Sequence, residues 1–295
     1  MGSDLREQST DARRLYEMVD GVTGLPISRL CAEGPLECLT ETDVAQPAVV
    51  ATCLAALAVL RERLPLQPCA VAGHSVGEFA AYVAAGVLDA ETALRLVNIR
   101  ARAMAAACQT IDGSMAAVIG LDEPALRAAC QAASHDGSSV EVANLNSPGQ
   151  LVVSGSRDAI QRFADHARAA GARRVLPLNV GGPFHSVYMR PAAAPLSETL
   201  AGAVFRRADV PIVLNVSAHP TQDPQVLRHE LEVQVYSPVR WIETLQRLAE
   251  LGCDRFLEVG PGQVLADLVR RTLPGAKVAS FGALADLDAA GSLLA

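Results

Sequence analysis

Aromatic residues are scarce in this chain, 4% of 295 with a single Trp, and charged residues supply only 19%. Neither shortage excludes a core, because half of the residues are hydrophobic, a globular composition in a chain long enough for one large domain or two unequal ones. No apolar run reaches the ~18 residues of a membrane span, and the N-terminus lacks a basic-then-apolar signal pattern. The expected protein is therefore cytoplasmic, with no membrane partner. Positive charge is also short, at a net charge of -7. An extended nucleic-acid footprint needs a basic stripe, so no nucleic-acid partner is expected. The pairs Arg173-Arg174, Arg206-Arg207 and Arg270-Arg271 are local and read as solvated faces, or less commonly as a patch for an acidic partner. Seven Cys form no Cys-x-x-Cys, and Cys53, Cys69, Cys108 and Cys130 lie in apolar runs, so buried thiols are expected rather than a disulfide framework. The six His lack metal-ligand spacing such as His-Glu-x-x-His, and no metal is expected.

What is present is an alternation of strands and helices. Residues 45–63 read as a buried helix, Cys69–Gly73 as a short buried strand and Phe79–Ala85 as a helix stopped at Gly86. Asp89 reads as the N-cap of a long helix reaching about Gln109. From Gly113 the order becomes β-α-β-β-α-β: strands near Met115–Gly120, Val140–Leu145, Leu151–Ser154 and Arg173–Val180, with helices over Pro124–Ala133 and Arg157–Ala170. That is the ferredoxin-like unit, expected over residues 112–181 as an insertion. Ile212–Val216 and Phe256–Val259 then read as strands, and Val239–Leu251 and Gln263–Thr272 as helices. The expected fold is α/β, with a discontinuous body over 1–111 and 182–295 whose ligands bind beyond the carboxyl ends of its strands.

Ser75 falls at such an end. Gly73-His74-Ser75-Val76-Gly77 between a strand and a helix has the pattern of a nucleophile elbow, in which the glycines allow a sharp turn and the hydroxyl projects at a helix N-terminus. The alternative is a structural turn with a small residue at its tip. A serine nucleophile needs a base, and His185, in Gly-Gly-Pro-Phe-His-Ser after a strand end, is the best placed. His74 should point away from Ser75, and His135, His166, His219 and His229 lie in polar runs. No Asp has a claim as a third member.

On a helical wheel with Arg95 at zero, Asn98, Arg102 and Gln109 fall within about 60°, whereas Arg100 falls near 140° beside Leu96, Ala103, Met104 and Ala107. One guanidinium thus lies on the apolar face. A buried Arg is costly unless paired, so either a protein carboxylate meets it or a ligand carboxylate takes its planar fork.

Gly73–Glu78, Leu96–Met104, Gly113–Leu121, Asn144–Gln150, Gly182–Ser186, Tyr236–Trp241 and Glu258–Gly262 together, in this order, resemble the malonyl-CoA:acyl-carrier-protein transacylases, including acyltransferase domains of polyketide synthases. The resemblance implies an α/β-hydrolase-like large domain with a ferredoxin-like small domain. It implies that Ser75 takes a malonyl group from malonyl-CoA as an ester and that the phosphopantetheine thiol of an acyl carrier protein removes it, for fatty acid or polyketide synthesis. His185 would be the base and acid, oriented by a backbone carbonyl near Gln234 in place of an Asp. Arg100 would bind the malonyl carboxylate, Asn146 would line the pantetheine side of the cleft, and Val76 would give one oxyanion N–H. Phe184, before the base, would crowd an α-substituent and so favour malonyl over methylmalonyl. No cofactor and a monomer are expected.

The resemblance also implies a departure. Family members begin with a strand ending in Phe-Pro-Gly-Gln-Gly-x-Gln that supplies a second oxyanion N–H, and Met1 here corresponds to a point roughly 15–20 residues inside that start. Two other readings share parts of the site: an acyl-carrier-protein hydrolase using Ser75 and His185, against which an inward Arg100 argues, and a truncated carrier-docking module without catalysis.

Overall fold

Local sequence sets the helix starts. Asp89 accepts the Thr92 N–H and opens the helix Ala90–Cys108, Asp122 does the same for Ala125 and opens Glu123–Ala133, and Ser156 caps Arg157–Ala169 through the Ala159 N–H. The computed structural model describes residues 1–295. Its first 108 residues are helical apart from the segment around the elbow, with helices at Ser3–Gln8, Thr10–Thr23, Ile27–Glu33, Leu36–Leu39, Thr42–Arg63, Gly77–Ala84 and Ala90–Cys108.

The helix Thr42–Arg63 is long and apolar enough to cross a membrane by length and composition, although no unbroken apolar run within it reaches the length of a span. Its burial explains the composition: 67% of its most apolar window lies inside the protein, and Val50, Ala51, Leu54, Ala55 and Leu60 belong to the large core. That core also takes in Phe79, Tyr82, Leu94 and Leu96 from the next two helices.

Four strands form one antiparallel sheet: β1 (Gly113–Ile119), β2 (Val140–Ser147), β3 (Gln150–Ser156) and β4 (Arg174–Pro177), in the order β2-β3-β1-β4. Gly113 pairs with Ser156 and Ile119 with Gln150 across β1 and β3. The helices Glu123–Ala133 and Arg157–Ala169 cover one face, and Val118, Leu126, Val153 and Phe163 form their shared core. This is the ferredoxin-like arrangement. β4 is shorter than the expected 173–180, although the Leu178 N–H still reaches Met115 O at 2.9 Å. The outer edge of β2 is not free: Leu145 N–H donates to Val239 O and Val239 N–H to Ala143 O, both at 2.9 Å. Those bonds tie this sheet to the segment before the helix Trp241–Glu250.

The remaining strands belong to the α/β-hydrolase-like part. β5 (Ile212–Val213) pairs with β6 (Pro220–Thr221), and β7 (Arg255–Val259) runs parallel to β8 (Lys277–Phe281) across the helix Val264–Thr272. The expected strand at 69–73 shrinks to a single parallel bridge between Val71 and Ile212, with Val71 N–H on Pro211 O and Val213 N–H on Val71 O. Cys69 also departs from expectation. It is exposed rather than buried and is disulfide-bonded to Cys253, Cα–Cα 6.7 Å, across a sequence separation of 184 that no local spacing reveals.

Phe163 is fully buried in the core shared by the two covering helices. Truncating it to Ala is expected to cost about 3–5 kcal/mol of unfolding free energy in a denaturant titration. A loss below about 1 kcal/mol would mean that the helices close over the cavity and that Phe163 is not their main contact.

Candidate active site

Ser75 stands at φ 51, a left-handed backbone that L-residues rarely adopt, between the Val71 bridge and the helix Gly77–Ala84. The turn depends on Gly73, because a Cβ there would collide with the Gly77 carbonyl. Gly77 is different: a Cβ at that position meets nothing within 4 Å, so the expectation that both glycines make room holds for only one. It is the backbone of Gly77 that needs the space at Gly73.

The strained turn is clamped from a strand end. Asn215 Oδ1 accepts the Ser75 N–H at 2.6 Å, and Asn215 Nδ2 donates to Gly73 O at 2.6 Å. One side-chain amide thus bridges the residues flanking His74. His74 points away from Ser75 as expected: its Nε2 lies 2.8 Å from Asn146 Oδ1, and its ring meets Trp241 edge-on at 5.2 Å. That places Asn146, at the end of β2, against the elbow. The Val76 N–H has no protein partner and faces the start of the helix, where the dipole favours negative charge.

His185 is 4% exposed and, like Ser75, has a positive φ, 56. Its Nδ1 lies 3.1 Å from both Gln234 O and Ser237 O. Carbonyls only accept, so the proton sits on Nδ1 and leaves Nε2 as an acceptor. Nε2 is 2.7 Å from Ser75 Oγ, which donates to it. Burial, with help from the nearby Arg100 charge, lowers the His185 pKa from 6.5 to about 3. The free imidazole is therefore a neutral proton acceptor. Phe184 is half-buried and, like Leu178, packs against the small core of Met115, Ala143 and Val152.

Arg100 is 1% exposed, as the wheel implied, on the inner face of Ala90–Cys108. No carboxylate forms an ion pair with it; its partners are neutral. Nη1 donates to Gln46 Oε1, and Nη2 donates to Gln234 Oε1 at 3.0 Å and to Ser75 Oγ at 3.2 Å. Nε is buried with no partner. Burial lowers the pKa to about 10, offset in part by Glu78, so the group stays charged at neutral pH. Asn98, on the Arg95 side of the wheel, is buried as well, because Thr10–Thr23 covers that side and Val22 O takes its amide at 3.2 Å.

Four residues of this arrangement are given no role by any motif in the sequence: Gln46, Glu78, Asn215 and Glu230. Glu78 is fully buried behind the elbow, accepting from Asn215 N–H at 2.7 Å and from Gln234 Nε2. Glu230 accepts the Val216 N–H at 2.6 Å. Burial raises the pKa of both, Glu230 to about 7. A signal existed for Glu78, a carboxylate in an otherwise apolar helix start. Gln46 and Asn215 carry none, since single amides beside apolar residues follow no period.

The folded state holds fewer protons on His185 than the unfolded chain does between about 3 and 6.5, so that contribution to stability is whole above 6.5 and is lost as pH falls. Glu230 has the opposite sign: its contribution is whole below 4.5 and is lost as pH rises through about 7. For chemistry the expected result is a rate of Ser75 acylation that shows no inflection near 6.5 in single-turnover assays from pH 8 down to 5.5, because His185 is already neutral. A break near 6.5 would mean that the imidazole is solvated in the working enzyme.

The acyl transferase domain family matches residues 1–287. The malonyl CoA-acyl carrier protein transacylase of Bacillus subtilis is 40% identical over 271 residues, covering 92% of this chain and 85% of that protein. Its counterpart in Escherichia coli K12 is 39% identical over 271 residues, 92% of this chain and 87% of its own. Among solved structures, a malonyl-transacylase bound to a type II polyketide-synthase acyl-carrier protein superposes with a TM-score of 0.94 at 37% identity, covering 99% of this chain and 94% of that one. An acyl carrier protein S-malonyltransferase from Vibrio cholerae gives 0.93 at 37% identity, covering 98% and 94%.

Proposed function

The chain belongs to the acyl transferase domain family, and from that premise we propose that it moves a malonyl group from malonyl-CoA to the phosphopantetheine thiol of an acyl carrier protein through an ester on Ser75. The observation that carries this reading is the meeting of two groups on one oxygen: His185 Nε2 at 2.7 Å and Arg100 Nη2 at 3.2 Å from Ser75 Oγ. The first makes the serine a nucleophile. The second puts a buried cation without a carboxylate partner beside whatever acyl group that serine carries.

In the first half-reaction Ser75 Oγ attacks the thioester carbonyl carbon while its proton passes to His185 Nε2. The Val76 N–H receives the developing oxyanion. The carbon–sulfur bond breaks, and the coenzyme A sulfur takes the proton back from His185. In the second half the carrier thiol gives its proton to His185 and attacks the ester, and the proton returns to Ser75 as its oxygen leaves. Because each half ends with His185 neutral, no carboxylate is needed to stabilise a lasting imidazolium; the carbonyls of Gln234 and Ser237 suffice to orient the ring.

The malonyl carboxylate falls to Arg100, Phe184 crowds an α-branch, and Asn146 lines the pantetheine side. This chemistry uses no cofactor and no metal: the reaction exchanges one acyl acceptor for another without change of oxidation state. We take the enzyme to act as a monomer in the cytoplasm, with residues 112–181 as its small domain and the rest as its catalytic domain.

Labelled malonyl-CoA is expected to leave one acyl group per chain on Ser75 and none on Ser75→Ala. Arg100→Ala should lower malonyl loading by about 10²-fold or more relative to acetyl loading, the size of a lost charge-assisted contact in a dry site. An Arg100→Ala variant that still prefers malonyl would assign the carboxylate to another group.

A further inference from the structure

Three residues that the proposed reaction uses converge on Gln234, the last residue of the helix Pro224–Gln234. Its backbone carbonyl orients His185 at 3.1 Å. Its side-chain Nε2 donates to Ser75 O at 3.0 Å and to Glu78 Oε2. Its Oε1 accepts from Arg100 Nη2 at 3.0 Å. Both amide N–H groups are therefore spent on the Ser75–Glu78 side, and the single amide oxygen is left for the guanidinium.

The orientation of that amide is not free. Turned over, it would set an NH2 against Arg100, donor against donor, and a carbonyl against Glu78, acceptor against acceptor. The group that holds the amide this way is Glu78, which is fully buried and accepts through both of its carboxyl oxygens. Its other oxygen is occupied by the Asn215 N–H at 2.7 Å, and the Asn215 side chain in turn holds the Ser75 N–H. Glu78 touches neither the nucleophile's hydroxyl nor the guanidinium, yet it sets the acceptor that Arg100 meets.

We propose that Glu78 is a positioning residue for acyl choice: through the Gln234 amide it aims Arg100 at the acyl group on Ser75. The inference rests on the reading of Arg100 given above. A purely structural Glu78 would, on removal, slow every acyl group alike. A residue that aims Arg100 changes the ratio between an acyl group that carries a carboxylate and one that does not.

The test compares loading of malonyl-CoA and acetyl-CoA onto the full chain for the native protein, Glu78→Gln and Gln234→Leu. Gln at 78 presents a donor where the carboxylate accepted, and Leu at 234 keeps the backbone carbonyl on His185 while removing the acceptor from Arg100. The malonyl-to-acetyl ratio of kcat/KM is expected to fall at least about tenfold in both variants, the loss residing more in KM for malonyl-CoA than in kcat, since a carboxylate contact acts in ground and transition states alike. A folded variant that keeps the native ratio, or one in which both acyl groups slow in parallel, overturns the proposal. Should either variant fail to fold, a crystal structure of the native malonyl ester decides: Gln234 Oε1 on Arg100 supports it, and a Gln234 turned away from Arg100 sinks it. A native protein that loads acetyl but no malonyl removes the reading of Arg100 itself, a result distinct from any change in the variants.

Discussion

A guanidinium excluded from water must find its acceptors inside the protein, and the site is arranged around meeting that demand for Arg100 with neutral oxygens. Burying an unpaired charge costs several kcal/mol, and a carboxylate at contact would offset that cost most directly. The protein does not provide one. Gln46 comes from the long core helix, Gln234 from the end of Pro224–Gln234, and Ser75 from the elbow, so three distant segments must be in register for the charge to be tolerated at all. Glu78, a carboxyl whose charged form favours the Arg100 cation, is held one residue further back. Its attraction still reaches Arg100, while the direct hydrogen-bonding positions stay with amides and a hydroxyl. A cation so placed remains able to exchange a weak partner for a carboxylate brought in by a substrate.

The same economy of charge governs His185. A carboxylate behind the imidazole would lie near Arg100 and would compete with a substrate's carboxylate for that cation. Two backbone carbonyls orient the ring without that competition, and burial keeps it neutral. The strain of the arrangement is local: Ser75 and His185 both have positive φ, and the Asn215 amide across the elbow is one of the bonds that hold Ser75 there.

How much of this could be read from the chain depends on how far each feature reaches. The elbow was legible because five consecutive residues contain it. Arg100 was legible because one helix has a period, but the burial of Asn98 on the Arg95 side was not, since a wheel does not know that another helix covers the second face. The four-stranded sheet was legible from its turn and helix signals. The large sheet was less so: the expected strand at 69–73 makes only one bridge, and β8 lies in a stretch with no clear alternation. The Cys69–Cys253 pairing and the contacts of Gln46, Glu78 and Asn215 join residues far apart in sequence, and nothing local marks them.

The sequence by itself determined which residue types stand where: a serine on a tight turn, a histidine after a strand end, an arginine on an apolar face, and a pattern shared with the acyl transferase domain family. Residue type and short-range periodicity are written locally, so they survive without the fold. The tertiary structure alone decided that Arg100 has no ion-pair partner, that His185 is held by carbonyls in the tautomer that accepts a proton, and that Glu78 dictates which way the Gln234 amide faces. Each of these is a question of which hydrogen-bonding atom meets which, across 49 or more positions of chain, and only packing answers it.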